Sequence, residues 1–153
     1  PLGIKLRNMA LDGEAKSKIA EMFLFMADRA EHIEEVIKKN KNDTIISDRS
    51  MISGIAYASA LSIDELINLN LIATNNTLPT HVILLELTPH ELKFRLSQKE
   101  NDSIELRGID YLINIQNRMK ETIKRLNINH IIIDASLKIE EIEKKIEDFI
   151  NGE

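Results

Sequence analysis

Residues 44–50 read TIISDRS, and this stretch decides the fold that the sequence predicts. A short, β-branched run from Thr44 to Ser47 leads directly into Asp48-Arg49-Ser50. Runs of the same kind occur from His81 to Leu87 and from His130 to Asp134. They are apolar nearly throughout instead of alternating, which is typical of parallel strands that are covered on both faces. We therefore predict three parallel strands.

Helical patterns separate and follow these strands. A long amphipathic pattern extends from Glu14 to Lys39. Ser62 and Glu65 have the spacing of a capping box, and Thr88 precedes Pro89 as the cap of another helix. Two further patterns cover residues 109–126 and 139–149. Strands that alternate with helices indicate an α/β fold with a parallel sheet between helical layers.

Composition limits the classes of function. A length of 153 residues suits a single domain, residues 1–153, and 43% hydrophobic residues suit a globular protein. The net charge of -5 argues against a nucleic-acid binder. The absence of cysteine excludes disulfides and thiolate metal sites. No apolar run approaches the ~20 residues of a membrane span, and no signal peptide is recognisable, so we expect a cytoplasmic protein.

The first candidate for chemistry is Asp48-Arg49-Ser50, which follows a predicted strand. Ligands of open α/β sheets bind beyond the carboxyl ends of the strands. Arg49 would hold a phosphate with its planar fork of donors, and Asp48 would hold a metal ion through water or orient the arginine. Alternatively, Asp48 or Ser50 only caps the next helix. The sequence leaves both interpretations open.

Two helix faces carry further candidates. Arg49, Ser53 and Tyr57 are spaced four apart and would present a guanidinium, a hydroxyl and a phenol on one side. Phe25 and Arg29 are also four apart, so a ring could stack on a base whose edge the cation binds. On spacing alone, an ordinary helix surface and a core Phe beside a surface Arg are the commoner explanations.

A polar loop is the third candidate. Arg95, Lys99 and Arg107 flank the stretch from Gln98 to Glu105, which would suit a basic lid, residues 98–107, closing over a polyphosphate. A solvated charged loop has the same composition and is commoner.

Together these segments resemble the bacterial thymidylate kinase family, which phosphorylates dTMP with ATP. Phe25 to His32 resembles its helix motif of Phe, three residues and Arg, and Asp48 to Tyr57 resembles its Asp-Arg-Tyr motif and the following helix. Asp102 to Glu105 resembles the Asp-Arg-Ile-Glu of its lid, and Ile133 to Ser136 resembles the loop after its last strand. The similarity covers essentially the whole chain, in order.

The resemblance implies roles for the residues around the base and sugar. Phe25 would stack on thymine, and Arg29 would form hydrogen bonds with its edge. Tyr57 would pack against the sugar and disfavour a ribose hydroxyl. Ser53 and Gly54 would line the same pocket.

The resemblance also implies roles around the phosphates. Arg49 would be catalytic, binding the dTMP phosphate, with Asp48 beside it near Mg²⁺; Arg7 would reach the same phosphate. The residues implied for the lid and ATP are Arg95, Lys99, Arg107 and Ser136. The implied partners are dTMP, ATP and a second copy in a homodimer, with no nucleic acid polymer and no membrane.

The sequence departs from the family pattern in several places. Ser50 replaces the usual Tyr, Ala58 stands where many members carry Gln, and Ser103 replaces the lid Arg. No Gly-x-x-x-x-Gly-Lys-Ser/Thr loop occurs, although the implied fold is the three-layer P-loop NTPase type with a central P-loop strand. We expect a longer gene product to supply about 30 or more residues for it, and the given sequence alone to be inactive and prone to associate.

The predicted function is phosphoryl transfer from ATP to dTMP. Two alternatives remain open from the sequence. One is a kinase for another nucleoside or nucleotide, and the other is a catalytically dead module that binds a nucleotide or a dimer partner.

Overall fold

A computed structural model describes residues 2–12, 14–98 and 105–152. The chain forms two compact units, Pro1–Leu78 and Pro79–Glu153, which we call the N-terminal and C-terminal units. The first is helical, and the second contains the parallel sheet.

The described residues of the N-terminal unit form four α-helices, and its core lies where three of them meet. Helix α1 packs along α2, and α4 contacts both α2 and α3. The core side chains are mainly Met, Ile and Leu. Two polar residues of this unit, Asn70 and Thr74, are also buried. The helices are α1 (Leu2–Leu11), α2 (Lys18–His32), which continues as a π-helical turn (Ile33–Ile37), α3 (Met51–Tyr57) and α4 (Ile63–Ala73).

The C-terminal unit is built on a pair of parallel strands. Val82 lies opposite His130, and Glu86 lies opposite Asp134. Helix α5 packs on α6, and α7 packs on β2. The elements are β1 (His81–Glu86), α5 (Pro89–Leu96), a 3-10 turn (Glu105–Arg107), α6 (Ile109–Leu126), β2 (Asn129–Asp134) and α7 (Ile139–Asn151).

The predicted helix starts at Ser62 and Thr88 are confirmed. Glu65 N donates to Ser62 Oγ at 3.3 Å, and Ser62 N donates to Glu65 Oε2 at 2.9 Å, which completes the capping box of α4. Glu91 N donates to Thr88 Oγ1 at 3.2 Å at the start of α5. Each bond satisfies an amide that has no partner within its helix. The predicted parallel pairing of the strands at His81 and His130 is also confirmed.

The prediction of one long helix from Glu14 to Lys39 was wrong at both ends. Helix α2 begins at Lys18, with Ser17 as its cap, and the α-helical part stops at His32. The hydrogen-bond pattern widens to a π-helix from Ile33 to Ile37. A π-helix occurs mostly as a single turn within an α-helix, which is too short for the spacing of apolar residues to reveal it.

The prediction of a buried strand from Thr44 to Ser47 was wrong. This segment has no strand hydrogen bonds, its residues are exposed, and Ile46 is 92% exposed. A parallel strand needs a neighbour that accepts and donates its backbone hydrogen bonds. In the part of the chain that the structure describes, β1 and β2 pair only with each other, so the apolar run stays unpaired.

The expectation that the strands are covered on both faces was also wrong. Leu84 pairs with Ile132 on one face of the sheet, where Leu84 is buried and Ile132 is exposed. Leu85 pairs with Ile133 on the other face, where Ile133 is buried and Leu85 is 48% exposed. Each face is therefore only partly covered. An apolar run therefore indicates a strand here without reporting how much of it is covered.

The helices of residues 2–12, 14–98 and 105–152 include none with the length and apolar character needed to cross a membrane.

Candidate functional site

The guanidinium of Arg29 lies at the meeting point of α2, α3 and α4 in the N-terminal unit. Arg29 is on α2, and its Nη1 donates to Asn70 Oδ1 of α4 at 2.5 Å. Its Nη2 lies 3.5 Å from the carbonyl oxygen of Ser50, the residue that caps α3. These contacts hold a charged group inside a helical core that would otherwise exclude it.

Burial affects the ionisation of Arg29. Removal from water lowers the pKa of its guanidinium, and the neighbouring Asp28 carboxylate acts in the opposite direction. Because arginine ionises far above neutral pH, the group stays charged. A half-buried cation with acceptors on two elements is suited to binding an electron-rich edge of a ligand.

Gly54 of α3 lies close to the same guanidinium. A Cβ atom built on Gly54 would lie 2.6 Å from Arg29 Nη2 and 3.3 Å from Arg29 Cζ. Real Cβ atoms do not approach other atoms so closely, so the guanidinium can lie this near the backbone of α3 only because this residue is glycine.

Arg49 has a strained backbone directly before α3. Its φ is 68°, in the left-handed region that non-glycine residues seldom adopt. Ser47 Oγ donates to the Arg49 carbonyl oxygen at 2.8 Å, and Ser50 Oγ accepts from Ile52 N at 3.3 Å. The turn is thus fixed by short-range hydrogen bonds on both sides of Arg49. Strain of this kind is common at functional sites.

The side chain of Arg49 stacks on Tyr57. Its Cζ lies 5.7 Å from the centroid of the Tyr57 ring, within the range of a cation–π interaction. The predicted association of Arg49 with the Tyr57 end of α3 is therefore present, although Arg49 precedes the helix instead of lying on it. The alternative that Ser50 caps α3 is confirmed, whereas phosphate binding by Arg49 stays a prediction.

The other predicted site residues of the N-terminal unit differ in how exposed they are and in what they contact. Phe25 and Ser53 are half-buried on α2 and α3, while Asp48 and Arg7 are exposed. Arg7 lies on α1, and within residues 2–12, 14–98 and 105–152 the structure shows no hydrogen bond or ring contact that joins it to Arg49. The structure therefore brings Arg29, Gly54, Arg49 and Tyr57 to α3, and leaves Arg7 on its own helix.

In the C-terminal unit, two of the predicted ATP-side residues meet at the carboxyl end of β2. Arg95 Nη2 of α5 donates to the carbonyl oxygen of Ala135 at 2.6 Å, and Arg95 Nε donates to Glu91 Oε1 at 3.0 Å. Ser136 follows Ala135, and its amide and hydroxyl both donate to Asp134 Oδ1, at 2.8 and 2.6 Å. This is the end of a parallel strand at which α/β proteins bind ligands.

Those hydrogen bonds perturb Asp134. The side-chain bond from Ser136, the backbone bond from Ser136 and the charge of Arg95 together lower the pKa of the Asp134 carboxyl, against a small opposing effect of desolvation. The loop after β2 is thus ordered around a carboxylate.

The predicted lid is only partly described. Arg107 Nη1 donates to Tyr111 Oη at 3.1 Å, and its Cζ lies 5.1 Å from the Tyr111 ring centroid. Lys99 lies outside the described residues, as do Asp102 and Ser103. Arg95 and Arg107 each have hydrogen-bond partners within the chain, and the choice between a basic lid and a solvated charged loop stays a prediction.

Sequence reasoning missed Asn70. This side chain is 1% exposed, and it is the partner of Arg29. The signal was available: Asn70 follows Leu66 and Ile67 on the apolar face of α4, where an amide needs a partner. Its partner could not be found from spacing, because Arg29 is on another helix.

Within the described residues, no three His, Asp or Glu side chains gather into a metal-binding group. Asp48 is a single exposed carboxylate.

The parallel strands and the arginines around α3 are features common in α/β proteins that bind phosphorylated ligands. Comparison with known protein sequences identifies the family. A sequence model of the family described as "Thymidylate kinase" matches residues 1–146. The chain therefore belongs to the thymidylate kinase family, so it is a nucleoside-monophosphate kinase with the P-loop NTPase fold.

Similar proteins from other bacteria support the same family assignment. The chain is 81% identical to the thymidylate kinase of Aliarcobacter butzleri over 150 residues, covering 98% of this chain and 79% of the relative. It is 51% identical to that of Wolinella succinogenes over 145 residues, covering 95% and 76%. It is 49% identical to that of Nautilia profundicola over 150 residues, covering 97% and 77%.

Substitution of Ser136 tests whether its hydrogen bonds lower the pKa of Asp134. Ser136→Ala removes one donor, so the pKa of Asp134 should rise toward its ordinary value while the backbone donor and Arg95 remain. Because the pKa is lowered in the folded state, the carboxylate stabilises the fold above its unfolded-state pKa, and this is lost as pH falls through the folded-state pKa. The variant should lose part of that contribution.

Carboxyl-carbon NMR titration of Asp134 measures this shift. Ser97→Ala, which removes a hydroxyl that donates to Phe94 instead, is the matched control and should leave the titration unchanged. An unaltered Asp134 midpoint in Ser136→Ala would contradict the explanation.

Proposed function

We propose that this protein transfers the γ-phosphoryl group of ATP to dTMP, giving dTDP and ADP. The observation that carries the proposal is the cluster around α3. It places one guanidinium, from Arg29, against Gly54 and a second, from Arg49, over Tyr57. The match to a family of kinases over residues 1–146 favours an enzyme over a module that only binds nucleotides.

The N-terminal unit would bind dTMP. Phe25 lies one helical turn before Arg29, so its ring would stack on the base whose edge the guanidinium binds. Thymine and uracil present a carbonyl acceptor where cytosine presents an amino donor, and a guanidinium offers only donors. Arg29 therefore favours thymine or uracil over cytosine.

The phosphate of dTMP would be held by Arg49. Its exposed guanidinium, already oriented by the Tyr57 ring, can offer two parallel N–H donors to phosphate oxygens. Tyr57, Ser53 and Gly54 would line the sugar side of the pocket. Arg7 would assist as a second cation from α1.

The C-terminal unit would bind ATP. Ser136 and its neighbours would lie near adenine, and Arg95 would order that loop through Ala135. Arg95, Lys99 and Arg107 would belong to the lid over the phosphates.

Catalysis would depend on positioning and on neutralising charge, without a covalent intermediate. Mg²⁺ would neutralise phosphate charge when bound. It prefers oxygen ligands, keeps several waters and often uses one carboxylate with substrate phosphates, so the single exposed Asp48 fits such a site. Asp48 would hold the ion through water, and Arg49 would bridge the acceptor phosphate and the transferring group. A cytoplasmic location stays a prediction.

Substitution of Arg49 tests the proposal. In the full-length enzyme, Arg49→Ala should lower dTMP kinase activity by about 10²-fold or more, since it removes a charged contact to the reacting phosphate. The protein should remain folded, because the side chain is exposed. Turnover should be measured with ATP across dTMP, dUMP, dCMP and dAMP, with dTMP preferred in the wild type.

Arg49→Gly is the matched variant for backbone effects. Glycine adopts a φ of 68° without strain, so this variant should be more stable than Arg49→Ala by about 1 kcal/mol, yet equally inactive. Near-normal turnover in both variants would remove Arg49 from the mechanism. Equal turnover on all four nucleotides would contradict the assignment of dTMP.

A homodimer is part of the proposal, and an apolar groove supports it. Met9 of α1 and Phe23 and Leu24 of α2 line an open groove, and Phe23 is 50% exposed. Ile19 and Ile4 are also exposed on these helices. An apolar surface on two packed helices is suited to burial against a second copy.

Phe23→Glu should shift the full-length protein from dimer to monomer, because a carboxylate in an apolar contact loses its hydration. Asn68→Glu, which adds the same charge at an exposed position of α4, should leave the dimer intact. Sedimentation velocity measures both, and an unchanged dimer in Phe23→Glu would exclude this surface as the interface.

A further inference from the structure

Asn70 is a buried polar side chain whose two hydrogen bonds fix its orientation. Its Oδ1 accepts from Arg29 Nη1 at 2.5 Å, while its Nδ2 donates to the carbonyl oxygen of Leu66 at 2.7 Å. Rotating the amide by half a turn would set donor against donor at Arg29 and acceptor against acceptor at Leu66. The helix backbone of α4 therefore determines where the acceptor for Arg29 lies.

Gly54 restrains the same guanidinium from the opposite element. Glycine within a helix is unfavourable relative to alanine, and Gly54 is not among the residues with positive φ. Its backbone conformation therefore does not require glycine. Glycine is required instead by the available space, since a Cβ would lie 2.6 Å from Arg29 Nη2.

We propose that Asn70 and Gly54 are positioning residues that fix the direction of the Arg29 guanidinium before the nucleotide binds. This inference rests on the proposed role of Arg29 in binding the base. Asn70 and the Ser50 carbonyl oxygen occupy two of the five N–H donors of a guanidinium, and the remaining donors are then directed to the ligand. A side chain that is already immobilised loses less conformational freedom on binding.

The positioning role has a kinetic consequence. Asn70→Leu removes the acceptor at similar volume, and Gly54→Ala displaces the guanidinium. Each should raise the KM for dTMP by about 10-fold, the size expected when a hydrogen bond to a charged group is lost, and leave the KM for ATP unchanged. Asn68→Leu, on the exposed side of α4, is the matched control and should change neither value.

Double-mutant cycles with Arg29→Ala distinguish positioning from a general structural effect. If Asn70 and Gly54 act through Arg29, each substitution should change the KM for dTMP by less than about twofold once Arg29 is absent. A direct clash of the Gly54→Ala methyl with dTMP, or a loosened fold, would instead raise the KM in both backgrounds. Equal increases with and without Arg29 would overturn the inference.

Two further outcomes separate the inference from the function on which it rests. If Arg29→Ala alone leaves the KM for dTMP unchanged, the proposed role of Arg29 fails and the inference fails with it. If Arg29→Ala raises the KM but the two positioning substitutions do not, only the inference fails. Gly54→Ala keeps the test decisive even if Asn70→Leu does not fold, because alanine favours the helix.

Discussion

The hydrogen bond between Arg29 and Asn70 is the constraint on which the N-terminal unit depends. It connects α2 to α4, and the same guanidinium reaches the Ser50 carbonyl oxygen before α3 and lies against Gly54 within α3. A charge in this position must be paired, because the unpaired cation would be costly to bury. The same contacts therefore hold the three helices together and position the candidate base-binding group.

Local features of the fold were predictable from the sequence. The capping box of Ser62 and Glu65 and the Thr88 cap depend on residues three apart, so their spacing identifies them. The parallel pair at His81 and Asn129 was predictable from β-branched runs that alternate with helices. Among the site residues, Arg29, Arg49 and Tyr57 were candidates from their spacing, and Gly54 was added by the resemblance; the structure brings these four to α3.

Features that depend on distant parts of the chain were not predictable. The run from Thr44 to Ser47 has strand composition, but pairing requires a neighbour that composition does not reveal. Asn70 was missed because its partner is 41 residues away in sequence. The positive φ of Arg49 was missed because no glycine or asparagine marks the turn, and it is held by Ser47 and Ser50 instead.

Side-chain ¹⁵N NMR of Arg29 without nucleotide tests the central claim most directly. A guanidinium held by Asn70 and packed on Gly54 rotates slowly about its Nε–Cζ bond, so its Nη groups should give separate signals that exchange slowly with water. Asn70→Leu should merge them. A single averaged Arg29 signal in the wild-type enzyme, like that of a solvent-exposed arginine, would contradict the account.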